Sequence, residues 1–380
     1  MATTHAPDTP WSEAACRLED LLAVLAEHTD PHDHPLAADV VDEVLVYDAD
    51  RLLAARGDAV RADLVRAFTD GPGVVVVRGA YPDAGVVDRA TAAFEEMIAE
   101  QRASGTTAGD HFAKPGANDR VWNALEKLAV RAPEVFVDYY ANPVLALVAD
   151  AWLGPGYQVT SQVNVVNPGG EAQVGHRDYH LGFLSPAQIE RYPAHVHRLS
   201  PVLTLQGAVA HTDMPVESGP TMYLPHSQKY GPGYLATGRP EFAEHFARHH
   251  VQLPLRRGDA AFFNPAVIHG AGHNRSADVR RAANLLQVSS AFGRAMESVD
   301  RDRICRAVYP ALRAHPAPEP AVAAAAEGYP FPTNLDRDPP VDGLAPASQA
   351  DLVRQALAQG LEPAEFEAAL TAHSDRRRTT

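Results

Sequence analysis

The chain is expected to be a mixed α and β protein: a double-stranded β-helix, or jelly roll, with N-terminal helices around it and a helical C-terminal extension. Three observations predict this. From residue 157 onward, β-rich runs alternate with turn formers, at 157–167, 172–180, 201–212, 219–225, 251–255, 259–271 and 280–291. Residues 11–156 carry apolar side chains mostly at helical spacing. Candidate metal ligands stand early and late in the β-rich part, as suits a jelly roll that brings distant strands together.

The elements follow in order. Residues 1–10 read as a flexible tail, with 11–295 as one domain and 296–380 as an extension. Leu18, Leu21, Leu22 and Leu25 set a helix within 12–28. Residues 43–47 read as a strand and 58–68 as a helix that breaks at Gly71-Pro72-Gly73. The β-branched run from Val74 makes 74–78 a buried strand. Val87, Ala90, Phe94, Met97 and Ile98 share one face of a helix over 86–101. A loop at 105–120 carries Lys114 and Arg120, followed by helices within 121–130 and 144–153. Among the strands, 186–192 and 231–249 read as helical insertions at the mouth of the barrel. The Pro- and Ala-rich stretch 310–346 is expected to be extended, with closing helices at 348–360 and 363–373.

Chemistry concentrates at His176-Arg177-Asp178 and at His269. Positions 176 and 178 share a strand face, because side chains alternate. Two imidazoles and one carboxylate are the donor set of a non-haem Fe(II) centre that keeps positions open for substrates and O₂. If 260–271 and 280–290 pair as a hairpin with its tip near Asn274, His269 and Arg280 become cross-strand neighbours. A guanidinium there suits a bidentate grip on the far carboxylate of a 2-oxoacid. Taken alone, His-x-Asp is more often a surface or hydrogen-bonded pair than a ligand pair. His180 reads as a group beside the metal or facing substrate, since a third imidazole would close a needed position. Lys114 and Arg120 read either as substrate contacts or as a solvated basic loop.

These segments resemble the phytanoyl-CoA dioxygenase family of Fe(II)/2-oxoglutarate oxygenases. The match rests on Gly175-His176-Arg177-Asp178, on Ser218-Gly219-Pro220 through Pro225-His226-Ser227-Gln228-Lys229, and on Gly258-Asp259 through His269-Gly270 to Arg280-Arg281-Ala282. It runs from about residue 140 to 290. The resemblance implies His176, Asp178 and His269 as iron ligands and Arg280 as the holder of the distal carboxylate of 2-oxoglutarate. It also places Asn164 near a polar cosubstrate contact. Where relatives often carry a small hydroxyl two residues after the distal His, this chain has Ala271. Asp178 separates it from related halogenases, in which a small residue stands at that place.

The implied activity is hydroxylation of an unactivated C–H of a small metabolite, with 2-oxoglutarate decarboxylated to succinate and CO₂. A non-catalytic metal-binding jelly roll is the alternative from another class, and a zinc hydrolase ranks below it. Acidic residues outnumber basic ones, 48 to 33, for a formal charge of −15, which disfavours nucleic acid and anionic membrane as partners. Cys16 and Cys305 are too few for a disulfide framework and suggest a reducing cytoplasm. No leader is expected, and no apolar run approaches the roughly 20 residues of a membrane helix.

Overall fold

The computed structural model describes residues 11–55, 57–105, 116–341 and 343–379. Its strands are β1 (Asp39–Val41), β2 (Val44–Asp48), β3 (Val74–Arg78), β4 (Asn118–Val121), β5 (Gln158–Val166), β6 (Thr204–Ala210), β7 (Met222–Leu224), β8 (Ala260–Phe263), β9 (Ile268–Gly270) and β10 (Arg281–Ser289). Eight of them form one sheet in the order β1-β2-β3-β8-β6-β10-β5-β4, while β7 and β9 form a second. Neighbours in the large sheet are antiparallel except β2 and β3.

Helices α1 (Leu18–Leu25), α2 (Ala49–Ala54), α3 (Asp58–Thr69), α4 (Ala84–Ala103), α5 (Ala124–Arg131), α6 (Pro133–Tyr140) and α7 (Pro143–Leu153) precede β5. Four short ones interrupt the strands: α8 (Pro186–Ile189), α9 (Ala194–Leu199), α10 (Gly233–Ala236) and α11 (Pro240–His249). The extension adds α12 (Arg301–Ala314), α13 (Glu319–Ala325), α14 (Gln349–Gln359) and α15 (Pro363–Arg377). Local chemistry sets several starts. Pro143 occupies the first turn of α7, and the Asn142 side chain accepts from the N–H groups of Val144 and Leu145.

Period-two alternation divides the large sheet into two faces. Leu45, Tyr47, Val75, Val77, Phe262 and Leu286 belong to the core shared with the N-terminal helices and the extension. Val44, Val46, Val74, Val76, Phe263 and Ala283 face the other way and pack with Tyr223 and Val267. That inner face looks toward the two-stranded sheet, whose far side closes on Trp11, Leu21, Tyr230 and Phe246.

The extension is bound into the main core. Tyr309 of α12 stacks on Phe366 of α15 with ring centroids 3.8 Å apart, both in one cluster with β5 and α6. Phe366→Ala is expected to cost about 3–5 kcal/mol of stability, checked by urea denaturation.

Several sequence expectations change. Residues 260–271 are two strands, because Asn264-Pro265 turns the chain from the large sheet to the small one. The buried Asn264 holds this corner, donating to the Phe68 carbonyl and accepting from Ala266 N–H. The expected hairpin is therefore absent: β9 pairs with β7, and β10 pairs with β5 and β6. Residues 172–180 and 251–255 contribute only isolated bridges. Residues 118–121 are a strand, and α6 was not anticipated. Pro310 lies on the exposed side of α12, where burial of Ile304, Cys305, Val308, Tyr309 and Leu312 outweighs the proline's cost of about 3 kcal/mol. Among the described residues, no helix is long and apolar enough to cross a membrane.

Candidate metal centre

His176 and His269 exchange both backbone hydrogen bonds, at 2.9 and 3.0 Å, as an antiparallel bridge beside β9. Residues paired in this way project their side chains to the same side. Their ring centroids lie 4.6 Å apart. Arg177, between the two early ligand candidates, turns away from them. Its buried guanidinium donates to the carbonyls of Ser227 and Tyr230 and lies over the Tyr234 ring. A side chain at Gly233 would collide with that guanidinium.

Each imidazole has its Nδ1 fixed. His176 Nδ1 lies 2.9 Å from the Val174 carbonyl, and His269 Nδ1 lies 2.9 Å from that of Val267. A carbonyl only accepts, so Nδ1 carries the proton and Nε2 presents its lone pair. These Nε2 atoms lie 3.7 and 3.3 Å from the Asp178 carboxylate oxygens. Ligand atoms of all three residues fall within 4.8 Å of one another. Two lone pairs directed at an anion repel it unless a cation stands between them. The donor set thus fits a divalent metal, and two nitrogens with one carboxylate suit Fe(II).

Gln206 of β6 completes the setting, donating to Asp178 Oδ2 at 2.6 Å. Burial by itself would raise the Asp178 carboxyl, but His269, His176 and Gln206 outweigh it and hold it well below the usual carboxylate range. Gln206 was missed in the sequence, although a lone glutamine in Leu205-Gln206-Gly207-Ala208-Val209 is a usable signal. Gln206→Leu is expected to weaken metal binding about 10–100-fold, as for other hydrogen-bond partners of ligands, with calorimetric Fe(II) titration as the check.

Arg280 requires a correction. It lies on the outer face, 43% exposed, with Glu95 at 3.6 Å and Asp119 at 3.7 Å. The inward residue is Arg281, the first of β10, which alternation places with Ala283, Leu285 and Gln287. Its guanidinium donates to the carbonyls of Ser218 and Gly272, and no carboxylate pairs with it among the described residues. Burial pulls its pKa down to about 10. Buried Tyr223, which pairs in register with His269, lies within electrostatic reach of it.

Asn164 is buried on the inner face of β5, opposite Ala283, and accepts from Asn118 at 3.3 Å. Arg120 is buried opposite Asn164, with its guanidinium 4.6 Å from the Trp122 ring centre. His180 is not among the three converging residues, and its Nδ1 lies 3.0 Å from Ser200 Oγ. Tyr179 and His180 both hold positive φ, 65° and 42°, a costly conformation of the kind that collects at functional sites. Lys114 lies outside the described residues. At the position where relatives carry a hydroxyl, Ala271 N–H donates to Gln173 Oε1.

A family model, Phytanoyl-CoA dioxygenase (PhyH), matches residues 58–282. "Dioxygenase trt7" of Aspergillus terreus (strain NIH 2624 / FGSC A1156) is 26% identical over 183 residues, 46% of this chain and 57% of that protein. The chain thus matches less than two thirds of that relative's length. Among solved structures, the non-heme alpha ketoglutarate dependent carbocyclase SnoK from nogalamycin biosynthesis is 22% identical, covering 63% of this chain and 86% of its own, with a TM-score of 0.42. AviO1 from Streptomyces viridochromogenes Tue57 is 21% identical, covering 62% and 97%, with a TM-score of 0.44. The family model runs from α3 into β10 and takes in the whole donor set. This chain belongs to the phytanoyl-CoA dioxygenase family, whose cofactor pair is iron and 2-oxoglutarate.

Proposed function

We propose that the chain is an Fe(II)/2-oxoglutarate-dependent dioxygenase that hydroxylates an unactivated C–H of a small metabolite. The observation that carries this is the pair of imidazole lone pairs and the carboxylate aimed at one point. His176, Asp178 and His269 would hold iron. When bound, iron supplies O₂ activation coupled to decarboxylation of 2-oxoglutarate, giving succinate, CO₂ and the hydroxylated product. Arg281 takes the role expected of Arg280, gripping the distal carboxylate of 2-oxoglutarate from the inner face. Gln206 keeps Asp178 oriented, and Phe263, whose ring centre lies 4.7 Å from that of His269, excludes water on its side of the site.

The fold supports this reading as a double-stranded β-helix. From β5 onward the chain passes back and forth between the sheets: β5, β6, β8 and β10 lie in the large one, while the His176 bridge, then β7 with the Val251 bridge, then β9 lie with the small one. Residues 11–295 would be the oxygenase domain, with 296–380 packed on it. Buried free Cys16 and Cys305 are in keeping with a cytoplasmic location. A non-catalytic metal protein is disfavoured, since a purely structural metal site has no use for a buried, carboxylate-free Arg281.

The test is anaerobic addition of Fe(II) and 2-oxoglutarate, watched for the visible metal-to-cosubstrate charge-transfer band. Succinate release on admission of O₂ follows. A wild-type protein that binds iron without the band would overturn the proposal.

A further inference from the structure

Across the small sheet, four residues stand in one row. His176 bridges His269, His269 pairs with Tyr223, and Tyr223 bridges Val251. Paired residues project to one side, so Tyr223 joins the face that carries the metal centre, on the flank of His269 away from His176. The N–H and carbonyl of Tyr223 bond to Val251, and those of His269 bond to His176. Tyr223 and His269 are therefore a non-hydrogen-bonded pair, the kind whose side chains lie closest, with Cβ atoms roughly 5 Å apart. Phe263 of β8 touches both rings, and it meets that of Tyr223 edge-on with centres 5.2 Å apart.

Arg281 reaches the same wall from the large sheet. Its bonds to the Ser218 and Gly272 carbonyls pin it beside the segments that lead into β7 and out of β9, and both bonds come from Nη1. Nε and Nη2 have no hydrogen-bond partner among the described residues, yet neither is sealed from solvent. Tyr223 stands within electrostatic reach of this guanidinium, and Thr221 within hydrogen-bonding reach of the phenol. Burial outweighs both and pushes the Tyr223 pKa up, so the hydroxyl keeps its proton. The guanidinium only donates, and a threonine hydroxyl can donate to the phenol oxygen. The phenol proton is then left for a guest, beside an arginine with N–H groups to spare.

We propose that Tyr223 is a second anchor for 2-oxoglutarate, its hydroxyl donating to the distal carboxylate that Arg281 holds. The inference rests on the oxygenase reading, with Arg281 in that role, and adds a residue to the cosubstrate site. Its logic is the balance of donors and acceptors. The guanidinium and the phenol proton both suit an anion and disfavour a cation, and among the described residues no carboxylate pairs with Arg281 to cancel its charge. A carboxylate has about four lone-pair sites, enough for two arginine N–H groups and one phenol together. If Tyr223 only filled the apolar cluster that it shares with Val74, Phe263 and Val267, phenylalanine would serve equally and the hydroxyl would have no task.

The experiment uses the full chain, wild type and Tyr223→Phe, loaded anaerobically with Fe(II). The variant keeps the ring and its contact with Phe263, so its melting temperature should match that of the wild type. Titrating 2-oxoglutarate against the charge-transfer band should show binding about tenfold weaker in Tyr223→Phe, from loss of one hydrogen bond to a charged group. Calorimetry should give the same Fe(II) affinity for both proteins. Pyruvate, a 2-oxoacid without the distal carboxylate, should behave alike in both. Full 2-oxoglutarate affinity in Tyr223→Phe overturns this inference alone. So does a fall in Fe(II) affinity, which would mean that the hydroxyl acts through His269, or an equal weakening of pyruvate. Absence of the band in the wild type overturns the oxygenase reading and this one with it.

Discussion

Asp178→Ala is expected to abolish turnover and to lower Fe(II) affinity beyond the roughly 10–100-fold that follows loss of a ligand's hydrogen-bond partner. The substitution removes the only charged donor of the three, leaving two neutral imidazoles facing a dication. It also strands the Gln206 amide, whose 2.6 Å bond to Asp178 Oδ2 has no substitute. The fold should survive, because His176 and His269 keep their backbone bridge and their Nδ1 bonds. Metal content after anaerobic reconstitution reads the affinity, and circular dichroism reads the fold. A thermal shift gives an independent measure. A metal bound only by the folded state adds about 4 kcal/mol of stability at a thousand times its Kd, so Fe(II) should raise the wild-type melting temperature and leave that of Asp178→Ala unmoved. Unchanged iron content in the variant would remove Asp178 from the donor set.

What was legible in the sequence follows from how local each signal is. Strands β3, β5 and β10 announced themselves through uninterrupted β-branched or alternating runs, and each lies within a residue or two of its expected span. The convergence of His176, Asp178 and His269 was legible through spacing and order, although the expected strand around His176 and Asp178 is a single bridge. Pairing partners were not legible. Whether 260–271 stays in one sheet depends on a two-residue corner, Asn264-Pro265, whose effect is set by contacts with Phe68 and Gly73 far earlier in the chain. Helix α12 misled for the opposite reason: a proline signal is local, while the apolar stripe that overrides it gains its energy from α5, α6 and α15. Gln206 acquires meaning only once β6 is seen beside the segment that carries Asp178.

The confusion of Arg280 with Arg281 is a register problem, and it generates the sharpest prediction. Strand boundaries are uncertain by a residue or two, and a shift of one exchanges the faces of every side chain. With β10 beginning at Arg281, that residue joins Ala283 on the inner face while Arg280 meets Glu95 and Asp119 outside. Arg281→Met should therefore weaken 2-oxoglutarate binding by about 3 kcal/mol, or roughly 100-fold in Kd, through loss of two charge-assisted hydrogen bonds. Iron binding should change little, since none of the three donors contacts this guanidinium. Arg281→Lys should recover only part of the loss, because an ammonium lacks the planar fork. Arg280→Ala should leave cosubstrate affinity unaltered and shift stability by no more than about 0.5 kcal/mol, as an exposed pair allows. Titrating 2-oxoglutarate into each Fe(II)-loaded variant, followed by the charge-transfer band, separates the two arginines directly. If Arg280→Ala proves the damaging change and Arg281→Met the silent one, then β10 runs one residue out of the register described, and Ala283 and Leu285 would have to leave the inner face together with Arg281.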